Sequence, residues 1–517
     1  MNIRKGYNVE KQYLLGIDIG TSSIKVGLYD INGRVIDVQR EEHSILSPKQ
    51  GWAELPIKIV WYNFVHCLEN LITNNRVNPT NIKAIGVSCL CPGLVPLDEK
   101  GEALINPIIG FMDKRSLEEV EIIKEKVGEE KVFKISGNKV MPGACSLTSM
   151  LWIKRNRREI YEKTKVFGHI NTFFVKKLTD QFGIDYTNAS LTGIFETTGG
   201  LRWSKDIAEI IGIDIEKLPP LIPSDSIAGL LNSPEVIRLG LSGGIPVAMG
   251  GADTACSALA LGVLEHNQVF ESVGTTNVIT ICSKKPVFDD RFVNRCHVVK
   301  DTWLYHGAMS STGASLRWFR DEFCQDLIEK ERKTEIKAYQ TMSELAENSL
   351  PGANGVIFLP YMAGERSPVW DPDARGVIFG LSLQTRKSDI IRAILEGCGF
   401  GLRQLIEIAE EMVGQEIKEF ISIGGGAKNK VWGQIKADIT GKVIQVLDIN
   451  EAAVTGAALL GGLAAKIYKN VTDAYTRVGK NIWLEFYPQQ KNRGLYNKMF
   501  KIYVGLYPSL KNLFRQE

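Results

Sequence analysis

A lone carboxylate, Asp253, stands in the run VAMGGADTACSALALG among glycines, alanines and other small residues. Either it caps the helix that Thr254 and Ala255 begin, or it lies beside a substrate and small neighbours make room there. A second acid, Asp18 in GIDIGT, sits just ahead of a turn glycine. A carboxylate so placed can hold a hydrated Mg²⁺ against a nucleotide's phosphates, or serve the turn as an Asx partner. Two Gly-Thr turns, Gly20–Thr21 and Gly274–Thr275, and a GGGA loop at 424–427 complete the set. Glycine in a tight turn lets backbone N–H groups approach phosphate oxygens, and Thr or Ser hydroxyls add donors. The helix after GGGAKN offers its N-terminus to an anion. The common nucleotide fingerprints are missing: G-x-x-x-x-G-K-[ST], G-x-G-x-x-G after a strand, and the H-R-D loop.

The elements that must position these residues alternate between strand and helix. LLGIDIGTSSIKVGLYDINGRVIDVQREE reads as strand, tight turn, strand, Asn-Gly turn, strand. QVFESVGTTNVITICS repeats the first part of that pattern around the second Gly-Thr pair. The repeat implies two similarly built domains facing each other, with a pair of unrelated hairpins as the alternative. IKAIGVSCL, 82–90, reads as a buried strand, and SLEEVEIIKEKVGEEKV, SMLWIKRNRREIYEKT and KSDIIRAILEGCGFGLRQLIEIAEEMVG as helices. KEFISIGGGAKNKVWGQIKADITG is strand, glycine loop and helix, as in an α/β layer. The charged run IEKERKTEIKAYQ, 328–340, reads as a solvated helix face.

A chain of 517 residues exceeds what one hydrophobic core sustains, so two or three domains are expected. Lys plus Arg number 62 and Asp plus Glu 59, a balance that argues against a nucleic-acid or anionic-membrane surface. The N-terminal stretch lacks the apolar core of a signal peptide, and no run reaches the ~18 apolar residues that span a bilayer. The 9 cysteines form no C-x-x-C pair or disulfide framework, which points to reduced thiols and a cytoplasmic protein. Cys89 and Cys91 alternate along one strand and share a face: a hydrophobic wall, or half of a metal site lacking its other ligands.

From residue 14 to residue 465 the sequence resembles the FGGY carbohydrate kinases of the actin/Hsp70/sugar-kinase superfamily, and within them the xylulokinase-like branch. GIDIGTSSIKVGLYD resembles the first phosphate motif, MPGACSLTSMLWIKRN the mid-domain helix, and GGADTACSALALG the segment of the catalytic acid. SVGTT resembles the second phosphate motif, FLPYMAGERSPVWDPDARGVIFGLS the C-domain signature, and GGGAKNKVWGQIKADITGKVI the adenosine motif. The resemblance implies an α/β fold of two actin-like ATPase (ribonuclease H-like) domains, 1–253 and 254–517. Each would be a mixed five-stranded sheet flanked by helices, with the active site in the cleft between them. It implies ATP- and Mg²⁺-dependent phosphorylation of a primary hydroxyl on a ketopentose or related polyol, with Asp253 as general base and Asp18 at the metal. Gluconate, a hexulose or an autoinducer-like diol are alternative acceptors, and a nucleotide-switched non-kinase or pseudokinase is an alternative use of the scaffold.

By the same resemblance Gly20, Thr21, Ser22, Lys25, Gly274 and Thr275 approach the phosphates. Gly313, Arg317, Gly425, Gly426 and Asn429 surround the nucleoside; for Arg317 a surface salt bridge is the alternative. The substrate side departs from the family. Where xylulokinases carry Gln-Met-His-Gly, this chain has CLCPG, so Pro92 replaces a histidine donor beside Cys91. The family's Trp-Asn-Asp becomes Phe111-Met112-Asp113, which keeps Asp113 to accept from two sugar hydroxyls, unless it is a surface acid paired with Arg115. Partners other than sugar and ATP are not expected, save a second copy in a homodimer.

Overall fold

The computed structural model describes residues 11–449, 451–479 and 481–515. The chain forms two compact units. Unit 1 comprises Met1–Leu264, Asn294–Leu304 and Glu451–Lys480, and unit 2 comprises Glu265–Val293, Tyr305–Asn450 and Asn481–Glu517.

In unit 1, β1 (Tyr13–Ile19), β2 (Ser23–Asp30) and β3 (Val35–Glu42) run antiparallel in turn, and β4 (Ile82–Cys89) lies parallel to β1. The sheet order is β3-β2-β1-β4, then Pro246–Ala248, then Ile227–Leu230, with Gly251–Ala252 also pairing β4. The expected five-stranded mixed sheet is the centre of this 7-stranded one. β1 and β4 are buried along nearly their whole length because both faces are covered. Helix Ile57–Asn75 packs on β2 and β3, and helix Ala452–Ala464 packs on β1 and β4.

That second helix lies very close to the sheet. A Cβ at Gly86 would come 1.8 Å from the Ala457 carbonyl oxygen, and one at Gly16 would come 2.2 Å from that of Val454. Gly456 returns the favour toward helix Asp253–Leu261, where a Cβ would meet the Cys256 carbonyl at 1.9 Å. Glycines inside strands mark such backbone approach. This packing assigns Glu451–Lys480 to unit 1, so a single boundary between 253 and 254 does not describe the chain. A 3-stranded sheet, Ile108–Ile109, Gly93–Leu97 and Val166–His169, forms a subsidiary layer with its own core around Leu94, Val120, Met150 and Phe167.

The second sheet has 7 strands in the order Val293–Cys296, Trp303–Met309, Asn277–Ser283, Val269–Val273, Glu419–Ile423, Val443–Leu447, Ile482–Phe486. Its hairpin around Gly274 again runs antiparallel, and Val269–Val273 again pairs in parallel with a later strand, Glu419–Ile423. The repeat read in the sequence is therefore a repeat of topology. The 27-residue helix Lys387–Val413 carries much of the unit 2 core. Among the described residues no helix is long and apolar enough to cross a membrane.

Candidate active site

The β1–β2 turn is closed by Gly20 N–H donating to the Ser23 carbonyl at 3.0 Å, and it leaves Thr21 and Ser22 exposed. Asp18, 6% exposed, is opposite Ser88 in the β1–β4 register, and the Ser88 hydroxyl donates to its Oδ1 at 2.8 Å. Among the described residues no turn N–H donates to this carboxylate, so it is not the turn's Asx partner. Burial, and then the neighbouring Asp253 carboxylate, lift Asp18 from 3.8 to about 6. Lys25 works in the opposite direction, yet its own ammonium pairs with Glu451 at 2.6 Å. No group of three or more His, Cys, Asp or Glu among the described residues could cage a metal. What Asp18 fits is a hydrated divalent ion that arrives with phosphate, needing one carboxylate and keeping its waters.

Asp253 opens helix Asp253–Leu261. Thr254 fixes one of its oxygens, Oδ1, through the backbone N–H at 2.6 Å and the hydroxyl at 3.0 Å. Among the described residues none donates to Oδ2. The small residues around it have a reason different from the one expected. Gly250, at φ +75°, would put a Cβ 1.8 Å from the Val87 carbonyl, and Ala252 and Ala255 are fully buried. They let the chain run tightly along β4 and under helix Ala452–Ala464.

A buried polar chain holds this strand end in place. Ala252 N–H donates to Thr187 Oγ1 at 2.7 Å, and Thr187 Oγ1 donates to Asp185 Oδ1 at 2.5 Å. Asn188 and Asn171 each donate to Asp185 Oδ2 at 2.7 Å. Asn188 Oδ1 meets His169 Nδ1 at 3.3 Å, and His169 Nε2 meets the Ser146 hydroxyl at 2.9 Å. Burial lowers His169 to about 4, so the ring is neutral. Its Nδ1 lies 4.0 Å from the Cys91 sulfur. A neutral histidine from another strand, Val166–His169, thus stands beside Cys91 of CLCPG. Cys91 is part-buried and Pro92 buried, and burial pushes the Cys91 thiol up to about 12, as it also raises Cys89. Both are neutral walls, and no metal ligand set surrounds them among the described residues. None of His169, Asp185, Thr187 and Asn188 carries a local motif.

Asp113 is not available to a ligand. It is fully buried, Ala53 N–H donates to Oδ2 at 2.7 Å, Arg115 N–H donates to Oδ1 at 2.9 Å, and the Arg115 guanidinium grips both oxygens at 2.8–3.0 Å. Arg115 also reaches Glu54 at 2.9 Å and lies 3.8 Å from the Trp52 ring centroid. The pairing with Arg115 is real, but it is a buried brace, not a surface contact.

In unit 2 a cavity of about 340 Å³ is lined by Gly274, Thr275, Gly313, Arg317, Gly425, Gly426 and Asn429, the residues expected around the nucleotide. Gly313, in the first turn of helix Thr312–Phe323, lies so close to the Gly274 turn that a Cβ would stand 2.2 Å from the Gly274 carbonyl oxygen. Asn429 caps the following helix by accepting from Trp432 N–H at 3.0 Å, and donates to Ser343 at 2.8 Å. Leu316, Tyr339 and Trp432 complete the wall. Tyr339 lies in the charged run read as a solvated helix face. The glycines leave the apolar rings a slot that suits a planar base, beside a turn and a helix N-terminus that suit phosphate.

Paired Gly-Thr hairpins, each beside a parallel strand, in two α/β units are the architecture of the actin-like ATPases. The model of the FGGY family of carbohydrate kinases, N-terminal domain, matches residues 13–260, and that of the C-terminal domain matches residues 270–465. A gluconokinase of Bacillus subtilis is 29% identical over 507 residues, 98% of this chain and 97% of that protein. A xylulose kinase of the same organism is 30% identical over 506 residues, 97% of this chain and 98% of that protein. A crystal structure of a "xyloylose kinase" from Brucella ovis superposes with a TM-score of 0.87 at 25% identity, over 97% of this chain and 100% of that one. The chain belongs to the FGGY family of carbohydrate kinases. It is a phosphotransferase with an alcohol group as acceptor and ATP as donor.

Proposed function

We propose that the protein transfers the γ-phosphoryl group of Mg·ATP to a primary hydroxyl of a small open-chain polyhydroxy compound, with Asp253 as the general base. The acceptor is of the ketopentose, polyol or aldonate kind, and it lies against Asp253, Cys91 and His169 in unit 1. The observation that carries this reading is the state of Asp253: one oxygen held by Thr254, the other unengaged, at the head of a helix anchored through Thr187 and Asp185. A carboxylate in that state can take a proton without losing its orientation.

In the proposed step Asp253 Oδ2 accepts the proton of the acceptor hydroxyl as that oxygen bonds to the γ-phosphorus. The bond to the ADP oxygen breaks, giving a phosphate monoester and ADP. The exposed Thr21 and Ser22 hydroxyls and the turn N–H groups orient phosphate in unit 1, while Thr275, Gly313 and the cavity of Tyr339 and Trp432 hold the nucleotide in unit 2. Mg²⁺, when bound through its waters at Asp18, supplies charge neutralisation to the phosphates. Lys25, tied to Glu451, tempers the charge at Asp18 and does not reach out as a free ammonium.

The test is ADP release with Mg·ATP across ketopentoses, hexuloses, polyols and aldonates, for the wild type and Asp253→Asn. At least one acceptor should support turnover, and Asp253→Asn should lower kcat by about 10²–10⁴-fold with the melting temperature unchanged. Undiminished turnover in Asp253→Asn would refute the assignment of the base.

A further inference from the structure

Arg295 is buried, 4% exposed, on the strand Val293–Cys296, in the segment that belongs to unit 1. Its Nε and Nη1 have no hydrogen-bond partner, and among the described residues it makes no ion pair. A guanidinium cannot shed its charge to relieve burial, as a lysine or histidine can. A bare buried cation costs several kcal/mol, so a retained one calls for an anion.

The protein does not provide that anion. The guanidinium lies beside the Cys91 thiol and is felt by His169, and both of those groups are neutral. Asp185, a carboxylate that also acts on the Cys91 thiol, is committed to Thr187, Asn188 and Asn171. The Asp253 carboxylate also acts on the Cys91 thiol, electrostatically and in the opposite sense to Arg295, so both charges bear on the region around Cys91. That region is the CLCPG face on which the substrate reading centres.

We infer that Arg295 receives a carboxylate on the acceptor, and that the acceptor is an open-chain polyhydroxy acid, an aldonate, phosphorylated on the primary hydroxyl farthest from its carboxylate. The inference rests on the proposed role of Asp253 and narrows the substrate class at that same site. A neutral ketose or polyol would leave the charge of Arg295 bare. A sugar phosphate, with two negative charges, meets a single guanidinium and two carboxylates, Asp185 and Asp253, and is disfavoured. A monoanion with hydroxyls matches one cation, the neutral His169 ring and the thiols.

The test uses the full chain with threonate, xylonate and gluconate against xylulose, fructose, xylitol and erythritol. ADP release and thermal shift without nucleotide are read for wild type, Arg295→Met and Arg295→Lys. The expected result is a kcat/KM at least about 10²-fold higher for one of the acids than for neutral compounds of its length. Arg295→Met should lose about 10²–10³-fold on that acid, mostly in KM, with partial recovery in Arg295→Lys. The same acid should raise the melting temperature of the wild type and leave Arg295→Met unmoved. Free of ligand, Arg295→Met should melt no lower than the wild type, because the charge it removes is unpaired.

Turnover of a neutral ketose or polyol by wild type and Arg295→Met alike would overturn the inference and leave the kinase reading standing. A ligand-free Arg295→Met that melts well below the wild type would also overturn it, by making the guanidinium a structural group. If an aldonate stabilises the wild type through Arg295 but nothing supports ADP release, the carboxylate site stands and the proposed transfer at Asp253 falls.

Discussion

Replacing Asp18 with Asn should stabilise the ligand-free protein at neutral pH and do nothing for it in acid. In the folded chain burial and the Asp253 carboxylate raise Asp18 from 3.8 to about 6. Below the unfolded value both states carry the proton and the group is neutral toward folding. Between about 4 and 6 the folded state holds a proton that the unfolded state has released, so stability falls as pH rises. Above 6 both forms are ionised and the full penalty is present. The displacement corresponds to about 3 kcal/mol. For a unit of this size that is roughly 6 °C in melting temperature. Asn keeps an oxygen to accept from Ser88 and removes the ionisation. Thermal melts of wild type and Asp18→Asn from pH 4 to pH 8.5, without nucleotide, should therefore diverge through pH 4–6 and run parallel above it, with the variant higher. Adding Mg·ATP should raise the wild type more than the variant, since only the wild type has a charge for the cation to relieve. A pH-independent difference, or a variant that melts lower at pH 8, would refute the electrostatic account.

Two further substitutions separate the nucleotide cavity from the buried brace. Tyr339→Ala should raise the KM for ATP about tenfold and leave the KM for the acceptor and kcat within about twofold, as steady-state kinetics with each substrate varied will read. Asp113→Asn should act on stability, because it takes from the buried Arg115 one of its two carboxylate partners and leaves only Glu54: a loss of up to about 3 kcal/mol, seen as a fall in melting temperature with the acceptor KM unchanged. An Asp113→Asn protein of normal stability with a tenfold higher acceptor KM would return Asp113 to the substrate.

The local signals in this sequence concern backbone. Gly-Thr turns, the GGGA loop and Asn429 before a helix are short-range patterns, and Gly274, Gly313, Gly425, Gly426 and Asn429 do line one cavity. Gly16 and Gly86, inside strands, mark the close approach of residues 451–464 to the first sheet, but nothing local in the sequence names the segment that approaches. Burial was not legible. Asp113 and Arg115 stand two apart and read equally well as a surface pair, but the structure hides both side chains almost completely. Tyr339 was masked by the charges around it. His169, Asp185, Asn188 and Arg295 lie on separate segments whose meeting is made by sheet topology, so no spacing in the sequence announces them.

The repeat within the fold shows what has been withheld at the first copy. In unit 2 Glu271 lies on the hairpin strand opposite Ser422 of the parallel strand, and Ser422 donates to it at 2.6 Å, just as Ser88 donates to Asp18 in unit 1. Glu271 is fully buried and Lys436, also buried, closes on it directly. That carboxylate is finished: charge and hydrogen bonds are both satisfied by the chain, which leaves it a structural tie. Asp18 has the serine but no cation bonded to it, because the ammonium that acts on it, Lys25, is held by Glu451. Arg295 is the complementary case, a buried cation without a carboxylate. One unit therefore keeps two buried charges of opposite sign that do not pair with each other, each unfavourable in the empty protein. Under the proposed function each would be completed from outside, Asp18 by a cation brought with phosphate and Arg295 by an anionic acceptor.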